Sequence, residues 1–185
     1  MSFTKHCDLC DNISISLKEG YICKIDNRKP AFVNECSKIL LDEKFQKKLE
    51  IANLELEIIN RNKTLFYYRF YSTLFIGLLM IIAGLFFLKE LNRSVILLYL
   101  KLSIIGTGLI FVGIAYAKRN RFKNEKRKAT SNKIDIDDTL KKYRISYHSS
   151  FDFKEKIHGI QEVIVNLEFK NWAKTSTSTS YKIND

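Results

Sequence analysis

Two stretches decide what this chain can fold into. From Phe70 to Leu88 it reads FYSTLFIGLLMIIAGLFFL, 19 residues without a charge, and from Val95 to Ala117 it reads VILLYLKLSIIGTGLIFVGIAYA, 23 residues whose single charge is Lys101. About 20 helical residues, rising roughly 1.5 Å each, cross a hydrocarbon core of about 30 Å, so each stretch is long enough to span. A soluble core helix is usually shorter and keeps a polar stripe, which neither stretch has. Both read as transmembrane helices. Only KELNRS, residues 89–94, separates them, which implies a tight antiparallel hairpin. The first span begins too far from Met1 to be a cleaved signal peptide.

Flanking charge sets the orientation. Lys118, Arg119, Arg121, Lys123, Lys126, Arg127 and Lys128 crowd the exit of the second span against one Glu125, and Arg61, Lys63 and Arg69 precede the first. The loop offers Lys89 and Arg93 beside Glu90. Both termini are therefore expected on the cytoplasmic side. The basic exit, with Lys118, Arg119, Arg121 and Lys123 at its head, is read as a topology signal and a contact for anionic lipid, in preference to nucleic acid. Tyr67, Tyr68, Tyr71 and Tyr116 fit an interfacial aromatic belt. Lys101 lies about two turns from the outer end of its helix, where it can snorkel to the interface, or it lines a polar path inside an oligomer.

A reducing cytosol disfavours disulfides, so the four cysteines are expected as thiols or metal ligands. Cys7, Cys10, Cys23 and Cys36 are spaced C-x2-C-x12-C-x12-C. The first pair has zinc-knuckle spacing, in which one turn lets two thiolates reach one ion. NISISLKEGYICKID alternates apolar and polar residues around Lys18, Glu19 and Gly20, a β-hairpin pattern that returns Cys23 to the first pair. Cys36 completes the tetrahedron, with Asp26 and His6 as alternatives. The expected cofactor is one structural zinc, since a region of about 36 residues has too little apolar core of its own.

From about Lys38 neither Gly nor Pro occurs until the first span, and Phe45, Leu49, Ala52, Leu56 and Ile59 recur in steps of four and three. Such a heptad stripe is a seam for another helix. Its register continues into Gly77 and Gly84, and the second span has small residues at Ser103, Gly106, Gly113 and Ala117, suited to close packing in the hairpin or between protomers. Homo-oligomerisation along this seam is expected.

Residues 118–185 carry 16 Lys and Arg against nine Asp and Glu. IDIDDTLKKYRI suggests a short helix, RISYHSSFDF and EVIVNLEFKNW read as strands, and TSTSTS reads as a disordered low-complexity tail. His148, His158, Arg144 and the acids from Asp135 to Asp138 are the only catalytic candidates. No phosphate loop, nucleophile elbow or metalloprotease motif accompanies them, so no enzyme is expected.

The fold class that follows is a mainly α membrane protein. A zinc-ribbon-like region occupies 1–37, a long amphipathic cytosolic helix 38–69, a two-helix transmembrane hairpin 70–117, a basic linker with a small α+β module 118–174, and a disordered tail 175–185. Through the helix from Ser37 to Leu88, the second span and the basic exit 118–128, this layout resembles the small two-transmembrane effectors of bacterial antiviral systems, the SLATT group among them. The cysteine region departs from that group. What the resemblance implies is an oligomeric effector that forms a pore or disrupts the membrane when its cytosolic parts receive a protein or nucleotide signal. The other expectation, from the cysteine region and tail module, is a membrane-anchored zinc adaptor for a protein or nucleotide partner.

Overall fold

A computed structural model describes residues 3–16, 20–25, 28–29, 32, 35–86, 95–172 and 174–184. In chain order it contains α1 (Phe3–Leu9), β1 (Ile13–Ser16), β2 (Gly20–Cys23), α2 (Glu43–Phe86), α3 (Val95–Lys142), β3 (Ser146–Ile157), β4 (Ile160–Lys170) and β5 (Ser176–Asn184). The chain divides into a sheet-bearing unit, Met1–Glu57 with Ala129–Asp185, and a hairpin unit, Ile58–Lys128. Each long helix contributes residues to both.

Alternation dictates the sheet. β3, β4 and β5 form one antiparallel sheet in that order, and their registers align Phe153, Val163 and Tyr181, then Phe151, Val165 and Thr179, then Ser149, Leu167 and Thr177. Val163, Val165 and Leu167 are fully buried, so one face of the pleat is the core. His158 and Gly159 make the β3–β4 turn, both at positive φ, 50° and 83°. Two such residues form the primed turn whose twist matches that of the strands it joins. Phe45 and Leu49 of α2 are fully buried, and Phe45 lies against the sheet: its ring is 5.4 Å from Trp172 and 6.3 Å from Phe169, centroid to centroid.

Helix ends explain two boundaries. α2 begins at Glu43, not Lys38, because the residues before it are engaged elsewhere: Asp11 N–H donates to Leu40 O at 2.9 Å, and Leu40 N–H to Cys10 Sγ at 3.4 Å. The Asp11 carboxylate then accepts from Asp42 N–H (2.9 Å) and Lys44 N–H (3.3 Å), capping α2 with negative charge at its positive end. At the other end of the unit, Arg144 N–H donates to Lys141 O and Ile145 N–H to Leu140 O, both at 3.1 Å, with Arg144 at φ 56°. These bonds close α3 in a Schellman motif, whose left-handed position normally holds glycine. Arg144→Gly is expected to raise stability by about 1 kcal/mol, read as a higher urea midpoint.

The basic segment from 118 is no linker: it runs helically to Lys142 as part of α3, without a Gly or Pro to interrupt it. Residues 176–184 are strand, not a disordered tail. Thr177, Thr179, Tyr181 and Ile183 alternate inward against outward Ser178, Ser180 and Lys182, so a repetitive composition conceals a period of two.

In the hairpin unit, two helices are long and apolar enough to cross a membrane, with mean hydropathies of 1.8 and 1.9 in their most apolar windows. Those windows are only 17% and 11% buried, unlike the core helices of a soluble protein. Phe66 stacks on Phe122 at 4.1 Å, and Tyr116 meets Phe70 edge-on at 6.1 Å. The connection at 87–94 lies outside the described residues.

Candidate functional site

The expected β-hairpin is present, with Ile13 opposite Cys23 and Ser16 opposite Gly20. It brings Cys23 back to the first cysteine pair. Cys7 lies on the buried side of α1, and a turn bond from Cys10 N–H to Cys7 O (3.2 Å) holds Cys10 beside it. Cys36 arrives on the segment that leads into α2. All four thiols are free and line one cavity of about 760 Å³, together with His6, Arg28, Lys29, Glu35 and Lys38. Burial, and then the charges of Cys10, Cys36, Cys23 and Asp8, push the Cys7 thiol up to about 11. Among the described residues no three His, Cys, Asp or Glu side chains stand as a ready coordination shell.

His6 is engaged on both ring nitrogens. Nδ1 pairs with the Tyr143 hydroxyl at 3.0 Å, and Nε2 with Lys142 Nζ at 3.3 Å. Burial and then Lys142 lower its pKa, while Glu35 pulls the other way. Tyr143 also accepts from Cys36 N–H at 3.0 Å, so this one phenol ties the end of α3 to both α1 and Cys36. Sequence spacing carried no sign of that tie, because its partners lie 107 and 137 residues apart. Asp26 lies outside the described residues.

Two buried polar clusters were also missed. Glu50, 2% exposed, accepts from Gln46 Nε2 (3.0 Å), Thr179 Oγ1 (3.1 Å) and Tyr181 Oη (2.6 Å). Asn53, 3% exposed, meets Lys133 and Tyr147, and the Tyr147 hydroxyl donates to Asp137 at 2.6 Å. Burial and then the Asp137 bond raise the Tyr147 pKa. Among the described residues no buried side-chain nitrogen or oxygen lacks a partner.

The expected oligomer seam is largely occupied within the chain. Phe45, Leu49 and Ala52 are buried in the sheet-bearing unit, with Leu56 half-buried behind them, while Ile59 falls in the hairpin unit. A Cβ added to Gly77 would lie 3.0 Å from Gly108 O, and one on Gly84 2.5 Å from Ile105 Cγ1. These glycines serve the contact between α2 and α3 of one chain. Lys101, half-buried, shares the helix face of Ile105 and Gly108 by its spacing of four and seven, the face turned to α2. Lys118, Arg119, Arg121 and Lys123 are exposed on α3; Arg121 pairs with Glu125 at 2.9 Å, and the Arg119 guanidinium sits 5.6 Å from the Phe70 ring centroid.

No family model matches this chain, and no curated protein or solved structure matches it either.

Proposed function

We propose that the chain is an oligomeric two-pass inner-membrane protein that acts as a pore-forming or membrane-disrupting effector, controlled by its sheet-bearing unit on the cytoplasmic side. One observation carries this reading. Gly77, Gly84 and Gly108 are used up inside the hairpin, whereas a Cβ added to Gly106 or Gly113 meets nothing within 4 Å. Seven residues apart, these two share a helix face with Ser103 and Ala117, and small-residue faces are where spanning helices approach one another closely. Self-association therefore has a surface left for it, different from the seam expected from the heptad pattern. The continuity of α2 and α3 from the spans into the sheet-bearing unit supports control by a cytosolic protein or nucleotide signal.

The test is dye release from liposomes of anionic and zwitterionic lipid. The full chain should release dye once triggered, and Gly106→Leu/Gly113→Leu should lower both oligomer size and release while leaving helicity unchanged. A chain that reconstitutes and oligomerises yet leaks nothing in the presence of its trigger sinks the effector reading. The shared cysteine cavity favours a second reading, a membrane-anchored adaptor. Replacing 70–117 by an unrelated hairpin separates the two, since activity survives the exchange only if the spans are an anchor.

A further inference from the structure

We propose that Cys7, Cys10, Cys23 and Cys36 together bind one zinc ion as a closed, structural tetrathiolate site. These are the only cysteines in the chain, and they come from four separate places: α1, the turn after it, the end of β2, and the segment before α2. All four nonetheless reach the wall of one cavity. Random placement of small apolar residues gives no reason for that convergence.

Three further features point to a metal. Cys10 Sγ already accepts a backbone hydrogen bond, from Leu40 N–H at 3.4 Å, the kind of outer interaction that steadies a bound thiolate. Four thiolates and one Zn²⁺ carry a net charge of −2, and the cavity wall supplies Arg28, Lys29 and Lys38 against Glu35, which offsets it. Core is scarce as well. Among the residues before Asp42 whose side chains are described, His6, Cys7, Leu9 and Cys10 are the buried ones, a small core for holding α1 and the β1–β2 hairpin by apolar burial. Metal binding supplies folding free energy where a core cannot.

The ligand set is also narrowed. With both ring nitrogens of His6 engaged by Tyr143 and Lys142, the histidine acts beside the site rather than in it. Binding converts four thiols to thiolates and releases four protons, leaving no coordination position for a substrate water. Through Cys36 and Tyr143, the bound ion would fix the cysteine region to the C-terminal end of α3.

The test uses the full chain, purified in detergent from zinc-supplemented cells. Zinc content should be near one ion per chain, and should fall to background in Cys7→Ser/Cys10→Ser, in Cys23→Ser and in Cys36→Ser. His6→Asn should keep it. Because a serine variant can fail by misfolding, alkylation of the native chain provides the second measurement: four thiols should be protected with zinc bound and should all react after a chelator is added. Background zinc in a well-folded native chain, thiols that alkylate equally fast with and without chelator, or the visible absorption of an iron–sulfur cluster would each overturn the proposal. Full zinc retention in Cys36→Ser would overturn the ligand set.

Discussion

Glu50→Ala is expected to destabilise the sheet-bearing unit by about 3 kcal/mol. The side chain is 2% exposed, and its two oxygens receive Gln46, Thr179 and Tyr181. Truncation leaves the Thr179 and Tyr181 hydroxyls without an acceptor in a water-poor site, each an unpaired donor costing on the order of 1–3 kcal/mol, and it opens a cavity besides. Glu50→Gln retains the volume and one oxygen, so its cost should be about half. In a double-mutant cycle, Tyr181→Phe should couple to Glu50→Ala by about 1–2 kcal/mol. Pulse proteolysis of the full chain in urea reads these values, and cleavage should appear first within β5. A Glu50→Ala chain with the native urea midpoint would mean that β5 is not docked on α2. Burial, then the Glu50 bond, raise the Tyr181 pKa above its ordinary 10.0. A group whose pKa is raised on folding contributes stability that is complete below its unfolded value, so this contribution persists to about pH 10 and is lost as the pH climbs further.

What could be read in the chain beforehand divides by the range of the interaction responsible. The two long apolar helices were legible because a long run without charge stands out at once, and β1, β2 and β4 because alternation is a local signal. β5 obeys the same alternation, but Thr and Ser both count as polar, so composition pointed to disorder while the methyl-bearing threonines faced inward. Its partner, Glu50, sits next to Leu49 and reads as an ordinary charged flank until the strand that covers it is known. The heptad stripe showed correctly that one face of α2 is covered; it could not show by what. Phe45 turned out to be covered by Phe169 and Trp172 of its own chain, and Gly77 by Gly108. The candidate metal ligands were legible as a spacing, and their convergence on one cavity follows from the hairpin. The link from His6 and Cys36 through Tyr143 depends on the end of α3, which no local pattern announces.

Gly108→Ala is expected to separate α2 from α3. Its added Cβ would lie 2.8 Å from Gly77 O and 2.8 Å from Ile81 Cγ1, with the Ile81 backbone nitrogen at 3.2 Å. Two of these three atoms are backbone and cannot rotate away, so the helices must part, and overpacking of this kind costs about 1–3 kcal/mol. For a chain of 185 residues that corresponds to a fall of roughly 2–12 °C in melting temperature in detergent. Gly77→Ala should behave alike, since its Cβ meets the Gly108 carbonyl from the other side. Gly106→Ala and Gly113→Ala have open space and should be neutral or slightly stabilising through helix propensity alone. Protein-to-detergent ratio then decides where each glycine works. A Gly108 defect belongs to one chain and persists on dilution into excess micelles, whereas any loss at Gly106 or Gly113 requires a neighbouring copy and disappears. Should the Gly108→Ala loss vanish on dilution, the pairing of Gly77 with Gly108 lies between protomers, and the seam first inferred from the heptads would be restored.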